Sequence, residues 1–271
     1  MKPLTVIKYG GHAMSVPALN KAFAQNIREA QQKWNIVIGH GGGPQINALL
    51  GQLNIESSFK NGLRKTNADA MKAVEMALCG DVNTWLVSLL CQENCNAVGL
   101  TGKDARTLLA KKNHDPELGF VGEVCKVNPH LCHILIENGY IPVFAPLGYE
   151  EQTGSSLNIN ADTATGALAG ALQADIFILV TDVAGVLDKE KNLLPHLNFV
   201  QIQALKQDET IYGGMIPKVE SCRHAINMGC KAALIMDGSN AAKLSMLLDE
   251  ARYALAQNDF STLNYGTLIT K

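Results

Sequence analysis

Short runs of consecutive apolar residues recur along the chain, each followed by a stretch in which apolar positions return every three or four residues. Residues 4–8 form the first run and lead into Tyr9-Gly10-Gly11. Over residues 16–34, Leu19, Phe23, Ile27 and Ala30 then recur at helical spacing. Residues 35–39 are a second run, which enters His40-Gly41-Gly42-Gly43-Pro44 and another helical stretch through Leu50. The pattern predicts strand, glycine turn and helix, twice over. Residues 96–101, 141–146, 175–181 and 231–237 are further buried-strand runs separated by helix-like stretches. Such alternation is what a parallel sheet covered on both faces requires, so the predicted class is α/β. Two interruptions read as hairpins, placed to carry or cover a ligand: residues 57–66, turning at Asn61-Gly62, and residues 108–127, turning around 114–119. No stretch has the composition of a flexible linker. A polar, glycine-bearing loop at 149–156 divides the chain into an N-terminal lobe, 1–150, and a C-terminal lobe, 151–271, without a close internal repeat.

The 271 residues are 47% hydrophobic and 18% charged, enough for one large core or two lobes sharing a sheet. A formal net charge of -2 provides no field for gathering nucleic acid or anionic lipid, so neither partner is expected and any anion must be held locally. The seven cysteines are odd in number and scattered through mostly apolar stretches, which suits buried thiols in a reducing compartment. Cys91 and Cys95 have a spacing zinc accepts, but no second Cys/His pair follows, and no metal site is assigned. No basic, apolar leader precedes the first run, and a cytoplasmic location is expected.

The candidate chemistry gathers at the predicted strand ends. Gly10-Gly11 and Gly41-Gly42-Gly43 sit where a strand ends and a helix begins, so backbone N–H groups and helix dipoles would face one crevice suited to anions. Either cluster alone reads equally well as a tight turn. Neither matches a P-loop or a Gly-x-Gly-x-x-Gly dinucleotide turn. Lys8 ends the first strand and is either a solvated strand-end lysine or aimed into the same crevice. Gly213-Gly214-Met215-Ile216-Pro217-Lys218 supplies a second glycine pair, a proline suited to a first helical position and a lysine in the first turn. A cation there is unfavourable unless an anion lies nearby. Asp162, in Asn158-Ile159-Asn160-Ala161-Asp162, reads as an N-cap or, if Lys8 and Lys218 converge, as the carboxylate orienting both. Thr181-Asp182 ends another strand, as a turn former or a nucleotide contact, and Arg64 is a surface arginine or a bidentate carboxylate partner. His12 and His40 have no nucleophile partner and receive no catalytic role.

Taken in order, Lys8-Tyr9-Gly10-Gly11, His40-Gly41-Gly42-Gly43-Pro44-Gln45-Ile46-Asn47, Asn61-Gly62-Leu63-Arg64, Gly119-Phe120-Val121-Gly122-Glu123-Val124, Asn158-Ile159-Asn160-Ala161-Asp162 and Gly213-Gly214-Met215-Ile216-Pro217-Lys218-Val219 resemble the amino acid kinase family. Within it they are most similar to the branch that acts on N-acetyl-L-glutamate. The resemblance runs from about residue 4 to a final strand at 266–270. It implies a three-layer α/β sandwich with a central, mainly parallel sheet. The N-terminal lobe would bind N-acetyl-L-glutamate and dimerise, and the C-terminal lobe would bind ATP with Mg2+. The implied reaction phosphorylates the side-chain carboxylate, an early step of arginine biosynthesis. By the same resemblance Lys8 and Lys218 would stabilise the transferring phosphoryl and Asp162 would organise them. Gly42, Gly43, Arg64, Asn158 and Asn160 would hold the acceptor, and Gly10, Gly11, Thr181, Asp182, Gly213 and Gly214 the nucleotide. No general base is needed, because the nucleophile is already ionised.

Lys65 departs from the family pattern and is expected to add a charge beside Arg64, which keeps a relative acting on N-acetyl-aminoadipate, carbamate, uridylate or a phosphonate in view. Arginine-inhibited members carry an extra N-terminal helix that links dimers into a hexamer. Here the first strand starts almost at Met1, and residues 249–265 do not resemble their arginine-site signature, so an arginine-insensitive homodimer is expected. A PII-type regulatory partner is known for other members and has no support in this sequence. A silent binding module would not need both lysines and the carboxylate, and a nicotinamide oxidoreductase would need the missing dinucleotide turn.

Overall fold

The computed structural model describes residues 2–10, 14, 16–257, 259 and 265–271. The chain runs β1 (Leu4–Tyr9), α1 (Pro17–Ala30), β2 (Asn35–His40), α2 (Gly43–Gln52), then the short hairpin β3 (Phe59–Lys60) and β4 (Leu63–Arg64). A helical rod follows as α3 (Ala68–Glu75), a π-helical segment (Met76–Asn83) and α4 (Thr84–Gln92). Next come β5 (Ala97–Thr101), β6 (Leu108–Lys112), β7 (Gly122–Val127), α5 (His130–Glu137), β8 (Ile141–Ala145), β9 (Leu147–Tyr149) and β10 (Ser156–Asn158). The remainder is α6 (Ala161–Ala171), β11 (Ile176–Thr181), β12 (His196–Leu197), α7 (Phe199–Gln207), α8 (Met215–Asn227), β13 (Ala232–Asp237), α9 (Leu244–Gln257) and β14 (Thr267–Ile269).

Eight strands form the central sheet in the order β12-β14-β13-β11-β1-β2-β8-β5, with β14 antiparallel to β13 and the rest parallel. Four come from residues before 150 and four from residues after it, so the two halves of the chain share one sheet. The six longer runs predicted as strands form strands. The polar loop at 149–156 is the turn of the β9–β10 hairpin, within a second sheet of order β10-β9-β6-β7.

Because side chains alternate along a strand, each central strand feeds two cores. Ile7, Ile36, Ile38, Ile176 and Ile178 pack with Phe23, Ile27, Leu86 and Leu248 of α1, α4 and α9 on one face. Val6, Val37, Phe177 and Leu179 pack with Ala164, Leu168, Val219 and Cys222 of α6 and α8 on the other. This makes a three-layer sandwich. The alternation also decides where Lys8 goes: two residues after Val6, it belongs to the face that carries α6 and α8.

The rod over residues 68–92 is long and apolar enough to cross a bilayer by length and composition, with a mean hydropathy of 1.3 over its most apolar 18 residues. Leu78, Val82, Leu86 and Leu90 on it are buried in the fold. Of the cysteines, Cys95, Cys132, Cys222 and Cys230 are buried as expected, whereas Cys91 and Cys125 are exposed; all seven are free thiols. The two exposed thiols depart from the expected buried setting because α4 and β7 each present one side to solvent.

Candidate active site

Lys8 ends β1 in register with Gly39 of β2 and Leu179 of β11, at the C-terminal edge of the sheet. The next residues show why glycine follows it. A Cβ on Gly10 would stand 2.6 Å from the Lys8 ammonium nitrogen, so only a bare backbone lets that side chain fold over the turn. The ammonium reaches Asp162 Oδ1 at 3.0 Å, and Lys218 Nζ lies 3.4 Å from Asp162 Oδ2. Lys8 and Lys218, 210 positions apart in the chain, therefore share one buried carboxylate. Burial by itself raises the Asp162 carboxyl, but the charges and hydrogen bonds of the two lysines outweigh it and hold the group below the ordinary carboxylate value.

The cap of α6 is not Asp162 but Asn160. Its side-chain oxygen accepts from the N–H groups of Asp162 and Thr163 at 3.0 and 3.1 Å. Capping two residues earlier places Asp162 in the first turn, where its carboxylate is free to meet both lysines and the positive end of the helix. Helix α8 likewise begins at Met215, so Pro217 is its third residue and Lys218 its fourth. Gly214 precedes the helix and Gly213 takes a positive φ of 52°.

Thr181 and Asp182 end β11, the neighbour of β1. The Thr181 hydroxyl bonds the Asp182 carboxylate at 3.0 Å, and that bond, with the charges of Lys218 and Lys8, lowers the Asp182 carboxyl. Asp182 is exposed and feels both site lysines, as a residue facing the same crevice must.

Beside the glycine turn of β2 is a cavity of about 140 Å³ lined by Gly43, Ile46, Phe59, Arg64, Asn158 and Asn160 among others. Arg64 is buried, not a surface arginine: it donates to the Ser57 hydroxyl and stacks over Phe59 with 4.7 Å to the ring centroid. The β3–β4 turn behind it has Asn61 and Gly62 at φ 51° and 79°, the two positive values that an Asn-Gly hairpin turn supplies. Asn158 donates to Thr66 Oγ1 at 3.2 Å, and Thr66 Oγ1 donates to the Arg64 carbonyl at 2.8 Å. Lys65 does not enter this cavity. Its ammonium pairs with Glu117 at 2.9 Å on the β6–β7 hairpin, where Lys60 also meets Asp115 at 2.6 Å. The predicted extra charge beside Arg64 is thus spent on joining two hairpins.

Gly42 closes the arrangement from below. A Cβ there would lie 2.7 Å from Leu78 and 3.2 Å from Val82 of the π-helical segment, so the turn is packed directly against that rod. Asn83 and His40 join the rod to the turn, with Asn83 Nδ2 3.0 Å from His40 Nε2; Asn83 was not singled out in the sequence, and His40, just before the glycine run, received no role there. Gly11 and His12 lie outside the described residues, as does most of residues 258–264.

The model of the amino acid kinase family matches residues 3–237. The chain belongs to the amino acid kinase family. Among the relatives of this amino acid kinase, the acetylglutamate kinase of Rhodospirillum rubrum is 47% identical over 246 residues, covering 86% of this chain and 79% of that one. The acetylglutamate kinase of Sphingopyxis alaskensis is 45% identical over 277 residues, covering 97% and 88%. Among solved structures, the smu.665 protein of Streptococcus mutans UA159 superposes with a TM-score of 0.79 at 33% identity, covering 100% and 99%. Carbamate kinase from Giardia lamblia bound to AMP-PNP superposes with a TM-score of 0.70 at 19% identity, covering 100% and 99%, a likeness of fold.

Proposed function

We propose that the protein transfers the γ-phosphoryl group of ATP to the side-chain carboxylate of N-acetyl-L-glutamate, giving N-acetyl-L-glutamyl 5-phosphate for arginine biosynthesis. The observation that carries the reading is the pair of lysines on one buried carboxylate beside a small cavity containing a buried arginine. Phosphoryl transfer asks mainly for positioning and for positive charge where the equatorial oxygens gather it. Lys8 and Lys218 supply that charge, and Asp162 keeps their ammonium groups from repelling each other apart. Arg64 is a buried cation with a planar fork and no carboxylate partner among the described residues, which fits it to an acceptor carboxylate. Asn158, Asn160 and Gly43 line the same cavity, and in this reading the N–H groups of Gly42 and Gly43 would meet the anion it receives. Relatives 45–47% identical carry the acetylglutamate kinase name, and Lys65, turned toward Glu117, does not disturb the acceptor cavity.

In this reading the C-terminal half holds the nucleotide at Thr181, Asp182, Gly213 and Gly214, with Gly10 at the turn after Lys8 contributing to its phosphate end, and the N-terminal half holds the acceptor. Magnesium would travel on the nucleotide, where it neutralises phosphate charge. Asp182 is the carboxylate left to help hold it, since Asp162 is engaged by both lysines. A homodimer is supported by the edge of the central sheet. Among the described residues strand β5 is unpaired on its outer side, and α4 beside it leaves Trp85, Val87 and Leu89 only partly covered. Free thiols and a substrate pair drawn from general metabolism support a cytoplasmic setting.

The test is ADP release by purified protein with MgATP and a panel of acceptors: N-acetyl-L-glutamate, N-acetyl-aminoadipate, carbamate, uridylate and a phosphonate. Acetylglutamate should turn over fastest. A faster rate with any other acceptor, or full activity in both Lys8→Ala and Lys218→Ala, would refute the reading.

A further inference from the structure

His40 is fully buried at the end of β2, and the proposed chemistry leaves it without a role. Its surroundings fix its protonation and tautomer. Asn83 Nδ2 lies 2.9 Å from the Val143 carbonyl of β8 and 3.0 Å from His40 Nε2. A carbonyl can only accept, so the atom facing it is the amide nitrogen, which must also donate to the ring. Nε2 is therefore an acceptor, and the ring proton sits on Nδ1, which donates to the Gly41 carbonyl at 2.8 Å. That carbonyl belongs to the same planar peptide unit as the Gly42 N–H. In a trans peptide the two point in opposite directions, so anchoring the oxygen inward aims the N–H outward. Gly41 N–H is itself tied to the Tyr9 carbonyl at 3.1 Å, and no described residue accepts from Gly42 N–H.

We propose that His40 and Asn83 form a positioning strut that holds the Gly41–Gly42 peptide with its N–H directed at the oxyanion of the bound substrates. The strut starts on the rod over residues 68–92, at the one place where the rod is π-helical. Bonding from i to i+5 brings Leu78 and Asn83 to the same side, where an α-helix would spread them apart. Leu78 and Val82 press on Gly42 while Asn83 reaches past them to the ring. Burial holds His40 down at about 4, so the ring stays neutral and keeps an acceptor for Asn83 at working pH. The Val143 carbonyl accepts the other hydrogen of the same Asn83 amide nitrogen and ties it to β8, so the turn is referenced to two neighbouring strands and not to its own loop alone.

The proposal rests on the phosphoryl-transfer reading for its kinetic arm only. His40→Leu removes both ring bonds, and His40→Asn retains a donor at the place of Nδ1. With acetylglutamate and MgATP, kcat of His40→Leu should fall on the order of 10- to 100-fold, with KM for the nucleotide changed by less than about 3-fold, because the N–H acts on developing charge. His40→Asn should recover most of that loss although it melts no higher than His40→Leu. Equal kcat in the two variants, or a loss that follows melting temperature alone, overturns the strut. The second arm needs no turnover: 15N spectra of the wild-type imidazoles should show His40 as the neutral Nδ1–H tautomer at pH 7. An Nε2–H tautomer overturns the proposal even if the enzyme is active. A wild type inert toward every acceptor would refute the functional reading, and the tautomer would still decide the strut.

Discussion

Asp162 is a single carboxylate between two ammonium groups, so replacing it changes charge before it changes shape. In Asp162→Asn the amide still fills the space, but Lys8 and Lys218 repel one another and no longer converge. The kcat should fall on the order of 100-fold or more, the scale of losing one preorganised electrostatic group. The pH dependence of stability separates Asp162 from His40. The Asp162 carboxyl is lowered in the fold, so its contribution is complete above the ordinary carboxylate value near 3.8 and is lost only as pH falls through the lower native value. His40 is lowered from 6.5 to about 4, so between those values the unfolded chain binds a proton that the native chain refuses. Stability should therefore decline on acidification through that window, by ~3 kcal/mol in all. Urea midpoints at pH 7 and pH 5 should converge in His40→Asn relative to wild type; an unchanged gap would place the acid sensitivity elsewhere.

Among the elements, the glycines at the strand ends divide into two kinds by what a methyl group would strike. At Gly10 it meets the movable end of Lys8, so Gly10→Ala should melt within a few degrees of wild type while kcat drops at least about 10-fold as the ammonium is displaced. At Gly39 it meets the Thr165 hydroxyl at 2.1 Å and the body of that side chain, where α6 lies on β2, so Gly39→Ala should cost roughly 1–3 kcal/mol of stability. Thermal melts and steady-state rates on the two variants check the division. The turns after β1 and β2 were legible in the sequence because the strand, glycine and helix unit occurs twice in the first fifty residues, and the apolar runs foretold six of the strands. The sharing of Asp162 was legible only as a condition, since no local pattern says that residues 8, 162 and 218 meet. Asn160 as the cap was missed because Asp and Asn are nearly equal as caps and both stand at the helix start. The π-helical segment left no trace at all: it arises from how the rod must meet Gly42 and β8, which is a tertiary demand.

For the whole molecule, ligand binding should register as stability. Nucleotide at about a hundred times its dissociation constant adds ~2.7 kcal/mol to a chain that binds it only when folded. The melting temperature should rise with MgATP in wild type and rise less in Lys218→Ala; equal shifts would remove Lys218 from the nucleotide site. Sedimentation should give twice the 29.1 kDa chain mass, and a charged substitution at Val87, beside the open edge of β5, should return it to one. The central sheet, finally, joins its two halves along a single seam, β1 against β11, with the exposed turn at residues 151–154 as the only covalent crossing near residue 150. Two polypeptides cut at that turn would each carry four of the eight strands and complementary apolar faces. Expressed together they should reassemble into an active enzyme, with Lys8 contributed by one fragment and Asp162 and Lys218 by the other, and neither fragment should turn over substrate alone.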